Sequence, residues 1–477
     1  MKRHFLFTAA LCLLLPTMLI AQTPNAQIEA LKKQAEEAVQ KGQQQKAIDI
    51  TTAVIQQSPK DGFSHYLRGS AKVELGKKTG AIKLVRSGIA DAREAIRLDP
   101  SQSATYHLPY LYGMVQLSVL EKKTTYAQVA IKVANSIVAR KGVSNFEKAN
   151  IIYQRGLAHS SIGKPEAAIA DYEEVIQLVP NHAGALLTVA NIYISIGKTK
   201  KAAESFDRAS RALPKNAMVY NNKGMFLQRQ GKAQDAVNAF TKAIRINPNF
   251  TVAYTNRGFA LLRSGNAKDA ETDLNSSIKL SPRQSLAYGY RAEARLKLGK
   301  TVEAIADRQR VIQNNPKNPI AHAELGFAYF FIKQYSKSAD SFGISLSLQK
   351  KARHFHPWRY TAMLLAGKEN QAKLAYATII KKKTKERDWG DLLLAYVSGY
   401  ASEADLLAAA KVLKHPVASK QLATKMKAQR TCEAHFFIGI KQLSAGKKEA
   451  ATKHFQQAIA TNARDLSAFR GAEYALK

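Results

Sequence analysis

Two cysteines in 477 residues, Cys12 and Cys432, cannot supply a disulfide framework. Acidic side chains are scarce, 36 Asp and Glu against 72 Lys and Arg, so the chain carries +36. No apolar run beyond the first twenty or so residues approaches the ~20 residues needed to span a bilayer, which argues against an integral membrane protein. Catalytic signatures are missing as well: there is no HExxH, no phosphate-binding Gly loop, no GxSxG and no Cys-containing metal pattern. The "HFH" at 354–356 has no third ligand in the sequence. Neither catalysis, a metal site nor a cofactor is expected.

What is present begins with "MKRHFLFTAALCLLLPTMLIAQTP". Lys2 and Arg3 precede an apolar run from Phe5 to Ile20, broken by Pro16 and followed by the small Ala21, the layout of a cleaved secretory signal over 1–21. Leu11 before Cys12 is too large for a lipoprotein cleavage site, so no lipid anchor is expected. Removal of Lys2 and Arg3 lowers the charge by two, to +34, and leaves Cys432 alone. In a cytosolic protein that excess would point to nucleic acid. An exported chain meets anionic lipid, anionic glycan and acidic proteins instead, and the charges are spread along the chain except for "KKKTKER" at 381–387.

The dominant feature is a 34-residue ruler. Gly156, Gly224, Gly258 and Gly326 share one register with Ala190 and Ala292; Gly163, Gly197, Gly231, Gly265 and Gly299 share a second. Ala168, Ala202, Ala236, Ala270 and Ala304 form a third, and Pro180, Pro214, Pro248, Pro282 and Pro316 a fourth. This pattern resembles the tetratricopeptide repeat (TPR), a helix-turn-helix unit that stacks on its neighbours. Tyr220, Gly224, Ala236, Phe240 and Pro248 fill most of its slots in one repeat. The fold implied is all-α, a right-handed superhelical solenoid with a C-terminal helical cap.

Its expected organisation is a signal over 1–21, divergent helical pairs over 22–148, six regular repeats over 149–352, a degenerate repeat over 353–386 and a distinct helical region over 387–477. Residues 61–100 keep Gly69 and Pro100 but are seven residues too long between them, and 101–148 read as a degenerate helical pair. Cys432 is expected to begin the first helix of a last unit, with Leu466 to Leu476 closing the array.

The last quarter of the chain resembles bacterial envelope proteins of the NlpI type. "HPWRY" at 356–360, Trp389 with Gly390, the run through Tyr396, Gly399, Ser402, Glu403, Leu406 and Leu407, and "CEAHFFIG" at 432–439 carry that resemblance. It implies a non-enzymatic adaptor in the periplasm.

In a stack of such pairs the first helices line the concave face. Positions one place after the packing Gly lie about 100° around that helix, which predicts a groove of Asn191, then Asn221, Met225 and Arg229, then Thr255, Phe259, Leu262 and Arg263. Leu296 and Lys297 continue it, and Phe327, Phe330 and Phe331 are either its apolar end or ordinary inter-repeat core. Asn222 and Asn256, one period apart, are candidates to hold a peptide backbone. Arg229, Arg263 and Lys297 are candidates to meet an acidic ligand. The function expected is an exported scaffold binding protein or peptide partners through this groove. The alternative is a basic envelope-associated protein binding anionic lipid or glycan.

Overall fold

Glycines set how closely the paired helices approach. A Cβ on Gly224 would lie 2.6 Å from the Phe240 ring, on Gly258 2.8 Å from Leu274, and on Gly439 2.5 Å from Phe455. In each case a large side chain on the second helix fills the space over the first. The turn glycines act differently: Gly265, at φ +88, takes the left-handed conformation that lets the helix ending at Arg263 give way at once to the one starting at Ala267.

The computed structural model describes residues 24–380, 388–413, 419–463 and 466–476. The expected signal, Cys12 and the basic block at 381–387 lie outside these residues. The described residues are helical almost throughout, with no strand among them. The chain divides into two units, one ending at Val219 and one starting at Tyr220.

The first unit contains α1 Pro24–Gln40, α2 Gln44–Gln57, α3 Gly62–Thr79, α4 Ile82–Leu98, α5 Ser103–Leu120, α6 Thr124–Val138, α7 Asn145–Ser161, α8 Pro165–Leu178, α9 Ala183–Ser195 and α10 Thr199–Ala212. Each helix packs on the next. The excess length of 61–100 goes into the helices themselves, since α3 has 18 residues and α4 has 17. Residues 101–148 form the full-length helices α5 and α6, whose Leu111, Val115, Ala127 and Ala134 join one core with Val85, Ile89 and Ile151.

The second unit starts within α11 Ala217–Arg229 and continues through α12 Ala233–Ile246, α13 Thr251–Arg263, α14 Ala267–Leu280, α15 Ser285–Lys297, α16 Thr301–Asn314, α17 Pro319–Phe331 and α18 Tyr335–Leu348. There follow α19 His356–Leu365, α20 Glu369–Ile380, α21 Trp389–Val397, α22 Glu403–Ala410, α23 Lys420–Ser444, α24 Lys448–Ala460 and α25 Ser467–Ala475. Ser402 caps α22 through a reciprocal bond with Asp405. Cys432 does not begin a helix. It lies midway along the 25-residue α23, because no Gly or Pro interrupts 420–438 to stop the helix running back from it.

These last helices return onto the regular repeats of the same unit. α25 packs on α23, α24 and α17, and one core joins Phe327, Phe330, Trp358, Phe436, Phe437 and Phe469.

Candidate functional site

The first-helix face of the second unit is built from equivalent turns of α11, α13 and α15. Its polar part is a chain of amides: Asn256 Nδ2 donates to Asn221 Oδ1 (3.0 Å), and Asn221 Nδ2 donates to Asn222 Oδ1 (3.3 Å). Beyond it, Phe259 stacks on Tyr290 of the following repeat with centroids 4.6 Å apart. Both rings, with Asn222, Asn256 and Leu296, are half-buried, while Met225, Arg229, Arg263 and Lys297 are exposed. Tyr290 is absent from the sequence-based groove, since it lies two places before the packing position. Only its pairing with Phe259 reveals it. Asn191 is exposed on α9 of the first unit.

Six expected groove residues are instead buried. Asn221 is enclosed by its amide partners. Thr255 bonds Ser277 (2.7 Å) and Gln284 (3.2 Å) across the joint with the next repeat. Leu262 belongs to the inter-repeat core with Leu274, Ala287 and Ala294. These three lie on the flank that the following repeat covers, a displacement that a single-helix projection does not register. Phe327, Phe330 and Phe331 are buried for another reason, the returning C-terminal helices. Phe327 meets Trp358 edge-on at 4.8 Å, Phe330 meets it at 5.3 Å, and Phe331 stacks on Tyr474 at 5.2 Å. The apolar end of the predicted groove is therefore core.

Charge is also more committed than the composition suggests. Lys297 Nζ donates to the Leu262 carbonyl (3.2 Å) and lies 3.8 Å from Glu293. Within repeats, Arg257 grips Asp273 through two bonds (2.7 and 2.6 Å), and Arg291 does the same to Asp307 (3.0 and 2.6 Å). The Asp273 hydrogen bonds raise the Arg257 guanidinium above its ordinary value. Burial pushes the Glu271 carboxyl up, but bonds from Lys300 and Arg295 outweigh it and hold it below its ordinary value. Such bidentate pairs fix helix registry.

Among the described residues no group of three or more His, Cys, Asp or Glu is placed to hold a metal ion. The "HFH" histidines have structural surroundings: His356 bonds the Tyr376 hydroxyl (3.3 Å) and the His354 ring lies on Phe355. Burial pushes the Cys432 thiol up to about 11, which keeps it protonated and unreactive near neutral pH. No described helix is long and apolar enough to cross a membrane.

A stack of paired helices whose accessible face carries amides and aromatics defines a helical-repeat scaffold. Three tetratricopeptide-repeat family models match it, over residues 163–223, 217–250 and 239–272, and the fold is an all-α TPR solenoid. No curated protein matches the sequence. Among solved structures, a tetratricopeptide repeat protein from Parabacteroides merdae is 18% identical, covering 54% of this chain and 98% of its own, with a TM-score of 0.39. YrrB, a TPR protein with an unusual peptide-binding site, is 19% identical over 40% of this chain and 96% of its own (TM-score 0.33). The first TPR of Spaghetti (RPAP3), solved with the HSP90 peptide SRMEEVD, is 33% identical over 24% of this chain and 93% of its own (TM-score 0.24).

Proposed function

We propose that this protein is an exported, non-enzymatic scaffold of the bacterial cell envelope that holds protein partners on the first-helix face of its second unit. The observation that carries this reading is the half-exposed Phe259–Tyr290 stack beside the Asn256–Asn221–Asn222 amide chain. Aromatic anchors flanked by fixed amide groups suit an extended or helical peptide segment, because the rings offer apolar area at little entropic cost and the amides satisfy backbone groups. The signal-like first 21 residues and the NlpI-type resemblance of the last quarter support export and adaptor work.

The test uses mature protein recovered from cells expressing the full chain, whose first residue should be Gln22. A photo-crosslinking amino acid is placed at Met225 or Asn256, and at Glu204 on the second helix α10 as control. Discrete protein adducts at the first two positions, absent at the third and lost with Phe259→Ser plus Tyr290→Ser at unchanged helicity, are expected. Equal adducts at all three positions would exclude this face as the binding site, and an unprocessed N-terminus would exclude export.

A further inference from the structure

The charge excess is not distributed evenly between the two edges of the second unit. One edge is formed where each second helix ends and the next first helix begins, over residues 244–253, 278–287, 312–321 and 346–351. These stretches contain Arg245, Lys279, Arg283, Lys317, Lys350 and Lys351, and not one Asp or Glu. The opposite edge, where first helices turn into second helices, mixes signs through Asp235, Asp269, Glu271 and Glu303. Lys279 and Arg245 lie in the last turns of α14 and α12, where the helix dipole favours cations. The dipole does not explain the rest: the first turns of α13, α15 and α17, which favour acids, have none.

A second row runs beside the bases. Val252, Leu286 and Ile320 are the second residues of α13, α15 and α17, one repeat period apart, and are 45, 62 and 62% exposed. Arg283, Lys317 and Lys351 keep the same period three residues earlier in each unit or at the next turn. Successive turns touch, as the Asn314 side chain donates to the Arg283 carbonyl (3.4 Å). All six basic side chains are exposed, and among the described residues none of them makes an ion pair.

We propose that this edge is a docking strip for an anionic lipid bilayer. Phosphate-bearing headgroups neutralise the cations while the aliphatic row enters the headgroup–acyl boundary, so both rows are satisfied by one partner. A soluble polyanion would meet the bases and leave the aliphatic row in water. A protein would need an acidic strip with apolar side chains at matching intervals. The inference is independent of the partner-binding face, which lies on other turns of the first helices.

The experiment is flotation of the full mature chain with vesicles of phosphatidylcholine alone and with added phosphatidylglycerol, at low and high salt. The parent is expected to float only with the anionic vesicles. Lys279→Gln, Arg283→Gln and Lys317→Gln together should lower the partition coefficient at least about tenfold, whereas Lys232→Gln, Lys268→Gln and Lys337→Gln on the opposite edge should leave it unchanged. Val252→Ser, Leu286→Ser and Ile320→Ser should remove the part of the binding that persists in high salt. All these side chains are exposed, and circular dichroism of each variant is the control that it folds. Equal losses from both edges would assign the effect to net charge and overturn the proposal. So would failure to float, including the case in which the chain binds soluble polyglutamate through this edge and an acidic protein is its partner.

Discussion

Each packing glycine has a measurable role, because the space over it is already filled. Gly224→Ala puts a methyl 2.6 Å from Phe240, a contact that only movement of the helix or ring relieves, at a cost of about 1–3 kcal/mol. Gly289 lies inside α15 with nothing within 4 Å of its Cβ position, so Gly289→Ala should stabilise by about 0.5–1 kcal/mol through helix propensity alone. Opposite shifts of the melting temperature are expected, and upward shifts in both variants would show that local propensity, not interhelical space, governs both positions. The packing glycines are legible in the sequence because absence of a side chain repeats with a period. The Arg–Asp pairs are legible in the same way but only as a double series. Arg155, Arg257 and Arg291 each have an Asp sixteen residues on, while the repeats with Val189, Lys223 or Leu325 in that slot have Ser205, Ala239 or Ser341. Read singly, those arginines look like solvated surface charge.

At the scale of elements, the regular helices are marked by their own punctuation, Gly at one end and Pro at the other. The tail is not, and α23 runs through a position where repeat spacing alone would start a helix. How α23, α24 and α22 are held together has a pH signature. His435 Nδ1 lies 3.0 Å from His454 Nδ1, and His454 Nε2 lies 3.4 Å from Glu403. One ring must accept the other's proton, so both cannot be charged in this arrangement. Burial, and then the neighbouring His454, hold His435 down at about 4 against an ordinary 6.5. A lowered folded value means that the unfolded chain takes up the proton first. The His435 contribution is therefore complete above about pH 6.5 and is lost as pH falls toward 4. Melting followed by hydrogen exchange in α23 and α24 should show this loss of stability, and His435→Gln, which keeps a polar side chain that does not titrate, should flatten it. An unchanged slope in the variant would place the titration elsewhere.

On the scale of the molecule, a linear reading of repeats predicts interactions only between sequence neighbours, and it is here that the predicted site failed. Nothing in a 34-residue ruler says that the chain will come back, so the sequence alone leaves Phe327, Phe330 and Phe331 open between the apolar end of a groove and core. Their burial by α19, α23 and α25 turns the last helices into part of the same core as α17. Trp358 lies at the centre, 4.8 Å from Phe327, 5.3 Å from Phe330, 4.9 Å from Phe436 and 5.2 Å from Phe437. Trp358→Ala should cost about 3–5 kcal/mol by opening a cavity among rings that cannot all collapse inward. The distribution of that loss is the informative quantity. A solenoid of nearest neighbours would confine it to α18, α19 and α20. The closed arrangement spreads it to α17 and α23, which are far apart in sequence and share this tryptophan, while α13, separated from α17 by a full repeat, keeps its protection. Hydrogen exchange resolved by peptide distinguishes the two. Loss of protection in α17 and α23 together identifies the tail as a structural partner of the regular repeats, and loss limited to the neighbours of α19 would show that the aromatic contacts form without holding the tail in place.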